Sequence, residues 1–272
     1  WATDCICEDT ELGLRLFQQG LSAVYVDRVL GRGLVPTDFA AYRRQRRRWA
    51  RGAVQILRRH ARALLGPSPL TLGQRYHFVA GWLPWFGDAL HLVFSLAAMA
   101  WTIGILAAPH RFGVPMALFI VPLAVFFLAR LVLGPLLYWR RVPCPGRDIL
   151  GAALAGMGLS HSIASGVIAG LAGGRAVFDV TRKGPVPAHP DTAPGHAGWV
   201  LAPVREEAAL LLGLLMCLAG LAWSLALNPG FDDSARVVWM GVLGMQALPY
   251  AAAIACALIS HTEARPAPAP AR

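Results

Sequence analysis

Apolar residues gather into four long runs along this chain: Asp88 to Ala107, Pro115 to Tyr138, Ala208 to Leu227 and Val237 to Ile259. As a helix, each is long enough to cross roughly 30 Å of hydrocarbon, so about four transmembrane helices are predicted. A further apolar stretch, Ile149 to Gly173, is rich in glycine and carries Ser160, His161, Ser162 and Ser165. It is predicted as an interfacial or partly buried helix. Were it to span, the basic segment that follows would be carried to the far side of the membrane.

The first 66 residues follow a different pattern. Asp9 to Gly20 reads as a helix, with Asp9 and Glu11 at its positive N-terminal end, Ile6, Leu12 and Leu16 along one face and Gly20 as its stop. The alternation in SAVYVDRVLG, residues 22–31, predicts a short strand. Helix, strand and loop in this order suit the closing part of an α/β domain. Asp38 is placed to cap a long helix that runs to Leu65, with an apolar stripe through Phe39, Tyr42, Trp49, Ala53, Ile56 and Leu57 and arginines over the rest. A helix of this kind lies along a membrane interface.

Composition agrees with insertion in a bilayer. The chain is 56% hydrophobic and 15% charged, whereas soluble domains run at about half and about a quarter. The net charge of +10 is local, because nine of the 25 basic residues lie between Arg43 and Arg62. Beside apolar runs of this length, such a cluster points to the cytoplasmic face of a membrane and not to nucleic acid. With the arginine-rich helix inside, Arg140, Arg141 and Arg147 are predicted to return to the same side, segment 174–205 to stay there, and the Pro/Ala-rich tail 261–272 to end there, its composition predicting disorder. Asp88, His91 and Arg130 fall in or near the first two spans, and Asp88 is too short to snorkel, so it needs a partner or water. Trp82, Trp85, Trp101, Trp139, Trp223 and Trp239 are read mainly as interfacial anchors.

The five cysteines are scattered, with no spacing for zinc or for a disulfide framework. The chain starts at Trp1 with no signal-peptide pattern and is expected to be part of a longer polypeptide.

Two groups of residues could carry chemistry. Glu8 and Asp9 are adjacent carboxylates at a helix start, a position equally suited to dipole partners. Gln45, Arg48 and Trp49 form Q-x-x-R-W one turn apart on the long helix. An amide and a guanidinium can hold diphosphate oxygens, and an indole offers a flat face to a pyranose ring; the same tryptophan would also serve as a headgroup anchor.

The succession of CED (Cys7, Glu8, Asp9), LGLRLFQQG, QRRRWARGAVQI and several spans resembles the C-terminal half of the catalytic domain and the membrane region of processive family 2 glycosyltransferases, the bacterial cellulose synthase catalytic subunit and related β-glucan synthases in particular. FDVTRK, residues 178–183, is similar to the gating loop of cellulose synthases. The resemblance implies an α-helical membrane protein in which the C-terminal remnant of a GT-A-like α/β catalytic domain (1–37) precedes an interfacial helix and its connection (38–75). Transmembrane helices 1–2 (76–148), an interfacial helix with the gating loop (149–205), helices 3–4 (206–260) and a tail (261–272) follow.

It also implies roles. Asp9 matches the general base that takes the acceptor hydroxyl proton, and Glu8 is its neighbour at the acceptor. Trp49 matches the platform for the terminal sugar of the growing chain, while Gln45 and Arg48 match residues at the donor diphosphate. Phe178, Val180, Thr181 and Lys183 would close over the nucleotide and exclude water. The partners implied are a UDP-sugar, the growing polysaccharide and the lipid bilayer of a bacterial inner membrane with the catalytic side cytoplasmic. A periplasmic accessory subunit stays open, as does the choice between this synthase, a non-processive transferase acting on a lipid carrier, and a non-enzymatic channel or scaffold.

The sequence departs from the family pattern at Cys7, where the family carries threonine. It also lacks a D-x-D suited to the donor, so the Mg or Mn expected for the complete enzyme would be bound by residues outside this chain, and the chain alone is expected to be inactive. No pattern for the cyclic-dinucleotide-binding PilZ barrel of many cellulose synthases is read in these residues, so regulation by such a nucleotide is not expected from them.

Overall fold

The structure, a computed structural model, describes residues 5–36, 38–173, 201–227 and 233–263. They form α1 (Glu8–Gln18), α2 (Phe39–Leu65), α3 (Leu72–Ala107), α4 (Met116–Phe127), α5 (Gly134–Arg141), α6 (Gly146–Gly158), α7 (Ser160–Ala172), α8 (Arg205–Leu227) and α9 (Asp233–Glu263). A wider π turn, Leu128–Leu133, joins α4 to α5, so the two continue as one rod. The chain divides into two compact units: residues 1–89 with 162–194, and residues 90–161 with 195–272. The gating-loop residues Phe178, Val180, Thr181 and Lys183 lie outside the described residues.

In the first unit, α1 opens with Glu8, Asp9 and Glu11 in its first turn, where negative charge meets the positive end of the helix dipole. It closes at Gly20, whose φ of 80° only glycine adopts without strain. Its buried face differs from the predicted one. Glu11 and Leu14 are fully buried, whereas Leu16 is 40% exposed, because the helix turns a partnered carboxylate inward. The predicted strand does not form. Residues 21–31 form neither helix nor strand, Val24 and Tyr25 are 85% and 87% exposed, and among the described residues no ladder pairs with them. Alternation marks a sheet face only where a neighbouring strand accepts the backbone bonds.

Asp38 caps α2 as expected, its Oδ1 accepting from Ala41 N at 2.7 Å. Gly66 to Thr71 then makes a tight turn onto α3, tied by Arg75, whose guanidinium donates to the carbonyls of Leu64, Gly66, Ser68 and Leu70 at 2.6–3.3 Å. The first span was expected from Asp88, but its helix starts at Leu72. Thr71 and Gln74 form a reciprocal capping box there, Thr71 N to Gln74 Oε1 at 2.9 Å and Gln74 N to Thr71 Oγ1 at 3.2 Å. The first turns of α3 pack on α1 through Phe17, Phe78 and Trp82, with ring centroids 6.3 and 5.5 Å apart.

The segment expected as one interfacial helix is two, α6 and α7, bent by 40° at their break. Small residues explain where α7 sits against α2. At Gly166 an added Cβ would collide with the Arg47 carbonyl oxygen, and at Gly170 it would lie 2.7 Å from Val54 Cβ. Arg43 Nε donates to Ser162 Oγ at 2.9 Å, and Arg58 Nη1 donates to the carbonyls of Gly170 and Leu171, both at 2.9 Å, closing the C-terminal end of α7.

The second unit is a bundle around Trp239, Tyr250, Leu214, Leu243 and Phe119. Among the described residues, four helices are long and apolar enough to cross a membrane: Leu72–Ala107, Leu118–Arg141, Ala202–Leu227 and Ser234–Thr262, or up to five if the bent pair counts as one more. Inside hydrocarbon, polar groups must find partners within the protein. Trp239 Nε1 donates to Thr102 Oγ1 at 2.9 Å, Thr102 Oγ1 to Ala98 O at 2.7 Å, and Ser95 Oγ reaches Gln246 Oε1 at 3.0 Å. Trp239 is therefore a core residue, not an interfacial anchor, while Trp139 and Trp223, 71% and 68% exposed, stay on the outer surface. Asp88 is fully buried.

Candidate functional site

Within the first unit, the N-terminal end of α1 abuts the middle of α2. Gly52 makes that approach possible: a Cβ there would collide with Cys7 Sγ. Cys7 Sγ lies 3.8 Å from the Trp49 carbonyl oxygen, and Ile6 N donates to Gln55 Oε1 at 3.4 Å. Cys7 stands directly before α1 with no side-chain cap bond. Burial, reinforced by the charges of Cys5 and Asp9, pushes its thiol up to about 12, so it remains a neutral packing group.

The contact leaves a pocket of about 220 Å³ lined by Cys7, Asp9 and Thr10 from the start of α1, Trp49, Ala53 and Ile56 from α2, and Trp82 and Trp85 from α3. Asp9 is exposed in its rim, and its Oδ1 accepts from Thr10 N at 2.7 Å and from Thr10 Oγ1 at 3.3 Å. Those bonds hold one carboxylate oxygen. The Trp49 ring is fixed by Arg46, whose guanidinium lies 4.6 Å from its centroid. A carboxylate beside three indoles is a surface on which a sugar can rest apolar faces while presenting a hydroxyl to a base.

The structure thus brings together two of the residues singled out from the sequence, Asp9 and Trp49. Glu8, Gln45 and Arg48 are half-buried nearby in sequence but do not line this pocket. Trp82 and Trp85 are additions. Their i, i+3 spacing puts both on one side of α3, a signal present in the sequence that gained meaning only once α3 began at Leu72. Among the described residues, no group of three or more His, Cys, Asp or Glu could hold a metal ion.

These features fall within the reach of a single family. The chain belongs to glycosyl transferase family group 2, whose profile matches residues 1–155. It is 30% identical over 125 residues to the cellulose synthase 1 catalytic subunit (UDP-forming) of Komagataeibacter xylinus, a stretch that covers 41% of this chain and 16% of that protein. Over 79 residues it is 29% identical to probable glucomannan 4-beta-mannosyltransferase 14 of Arabidopsis thaliana, covering 29% of this chain and 15% of that one. The similarity thus spans about a sixth of the length of these curated relatives. No solved structure matches the chain.

Proposed function

We propose that this chain is the acceptor-binding and membrane part of a processive β-glycosyltransferase that elongates a β-linked hexose polymer from a UDP-sugar and passes it across the bacterial inner membrane. The observation that carries this reading is the shared pocket: Asp9 and Trp49, 40 positions apart in sequence, line one cavity with Trp82 and Trp85. The terminal sugar of the acceptor stacks on the indoles and turns one hydroxyl to Asp9. The carboxylate takes that proton, the hydroxyl oxygen forms a bond to the anomeric carbon of the donor, and the bond to UDP breaks with its electron pair leaving on the diphosphate. Attack from the face opposite UDP inverts the configuration.

Around this centre, Glu8 shapes the acceptor side, and Gln45 and Arg48 meet the donor diphosphate through an amide and a planar guanidinium. Phe178, Val180, Thr181 and Lys183 close over the nucleotide. The donor and its Mg or Mn would be held by a GT-A-like α/β half of the complete protein, of which residues 1–37 form the closing part. The four long apolar helices support passage of the polymer, with the arginine-rich face of α2 on the cytoplasmic side.

Membranes containing the full-length protein, supplied with labelled UDP-hexoses, test the reading through product size. A long polymer cleaved by a β-glycanase supports it. A single sugar on a lipid carrier would replace processive synthesis by single transfer, and no sugar transfer with any UDP-hexose would overturn it.

A further inference from the structure

Glu11, two residues after Asp9, is fully buried, and a buried carboxylate is tolerated only with partners. Arg15 Nε lies 2.9 Å from its Oε2, and His60 Nε2 lies 3.0 Å from its Oε1, with Arg59 Nε at 3.9 Å. His60 faces Gln18 with its other ring nitrogen, Nδ1, at 3.1 Å from Gln18 Nε2. Because a carboxylate only accepts, the His60 proton sits on Nε2 and donates to Glu11. The imidazole thus bridges the first and last turns of α1 from a single point on α2.

The backbone of α2 breaks at the residue that makes that bridge. His60 has φ −107° and ψ 15°, a break inside an otherwise regular helix. Neither Glu11 nor His60 lines the pocket. Their contact joins two others between the α1 segment and α2, Ile6 with Gln55 and Cys7 with Trp49, both just before α1, and of the three it is the one that includes charge. Asp9 lies between Cys7 and Glu11 in sequence.

We infer that Glu11 and His60 are positioning residues: their buried bond fixes the axial position of α1 on α2 and so sets the Asp9 carboxylate relative to the Trp49 platform. The inference rests on the reading of Asp9 as the base. Without the bond, α1 slides or tilts, and Asp9 moves although the pocket walls on α2 and α3 stay in place. Misplacement by about 1 Å can lower a rate by up to about 10²-fold, with no change in donor binding.

The full-length protein in membranes tests this with the labelled UDP-hexose that the wild type consumes. Glu11→Gln and His60→Ala should lower kcat about tenfold or more at unchanged KM for the donor, and His60→Gln, whose amide can still donate to Glu11, should recover most of the loss. Nitroxides at Gly13→Cys and Arg44→Cys, on a background without native cysteines, should give a narrow distance distribution that broadens in His60→Ala. If Asp9→Asn abolishes transfer while Glu11→Gln and His60→Ala keep the wild-type kcat and a narrow distribution, the positioning role is overturned and the base reading stands. Full activity of Asp9→Asn would overturn the base reading, and the positioning role with it. If His60→Ala does not fold, the isosteric Glu11→Gln decides through the same two measurements.

Discussion

Arg46 holds its guanidinium 4.6 Å from the centroid of the Trp49 ring and 5.0 Å from that of Tyr42, one turn earlier on α2. Its Nη2 also donates to Tyr42 Oη at 3.1 Å. The indole is thereby braced from its own helix, leaving its other contacts to the pocket. A cation–π contact of this kind contributes about 1 kcal/mol. Arg46→Ala should therefore weaken acceptor binding roughly fivefold, read as a rise in acceptor KM at constant donor KM. Arg46→Lys should restore only part of it, because an ammonium lacks the planar stack.

Trp49, Trp82 and Trp85 share the pocket but differ in burial. Trp82 is 8% exposed and belongs to the hydrophobic core of the first unit, so Trp82→Ala should cost about 3–5 kcal/mol of stability and show as a lowered unfolding temperature. Trp85 is half-buried and packs against the edge of that core. Trp85→Ala should lower the unfolding temperature less than Trp82→Ala does and raise acceptor KM, which Trp49→Ala should raise further, with nucleotide binding unchanged in both.

Helices α2 and α7 approach most closely at two glycines of α7, Gly166 and Gly170. Gly→Ala inside a helix ordinarily stabilises by roughly 0.5–1 kcal/mol, and Gly151→Ala, with nothing within 4 Å of the added methyl, should follow that rule. At Gly170 the methyl would stand 2.7 Å from Val54 Cβ, and overpacking of this kind costs about 1–3 kcal/mol. Gly170→Ala should destabilise, and a paired comparison of unfolding temperatures in detergent checks the opposite signs.

The Cys7 thiol, moved from its ordinary 9.0 up to about 12 mainly by burial, links stability to alkaline pH. The folded chain holds that proton more tightly than the unfolded chain does. The stabilisation is full below pH 9, and is lost as the pH rises toward about 12. Cys7→Ser should flatten this part of the stability profile. In a variant with Cys7 as its sole cysteine, maleimide labelling of the folded protein near pH 8 should be far slower than in denaturant.

Much of the helical plan was legible in the sequence because capping and hydropathy are local. Asp38 announced the start of α2, Gly20 the stop of α1, and four apolar runs the long helices. The start of α3 was hidden because Arg75, His77 and Pro84 interrupt the apolar pattern, although Thr71 and Gln74 carried its capping signal. Segment 22–31 misled because alternation records a preference for a sheet face and says nothing of whether a partner strand is present. At the site, Asp9 and Trp49 stood out as residue types suited to sugar chemistry. Glu11 did not, since an acidic residue in a first turn usually faces solvent. Its role becomes visible only when His60, 49 positions later, arrives against it.

The transfer rate of Asp9→Asn in the full-length protein decides whether this carboxylate is the base. Asparagine keeps the shape and the bond to Thr10 but cannot take a proton at neutral pH. With Asp9 as the base, kcat falls roughly 10²–10⁴-fold while donor KM, acceptor binding and membrane insertion stay as in the wild type. A kcat equal to that of the wild type would contradict it, and would move the base to another residue.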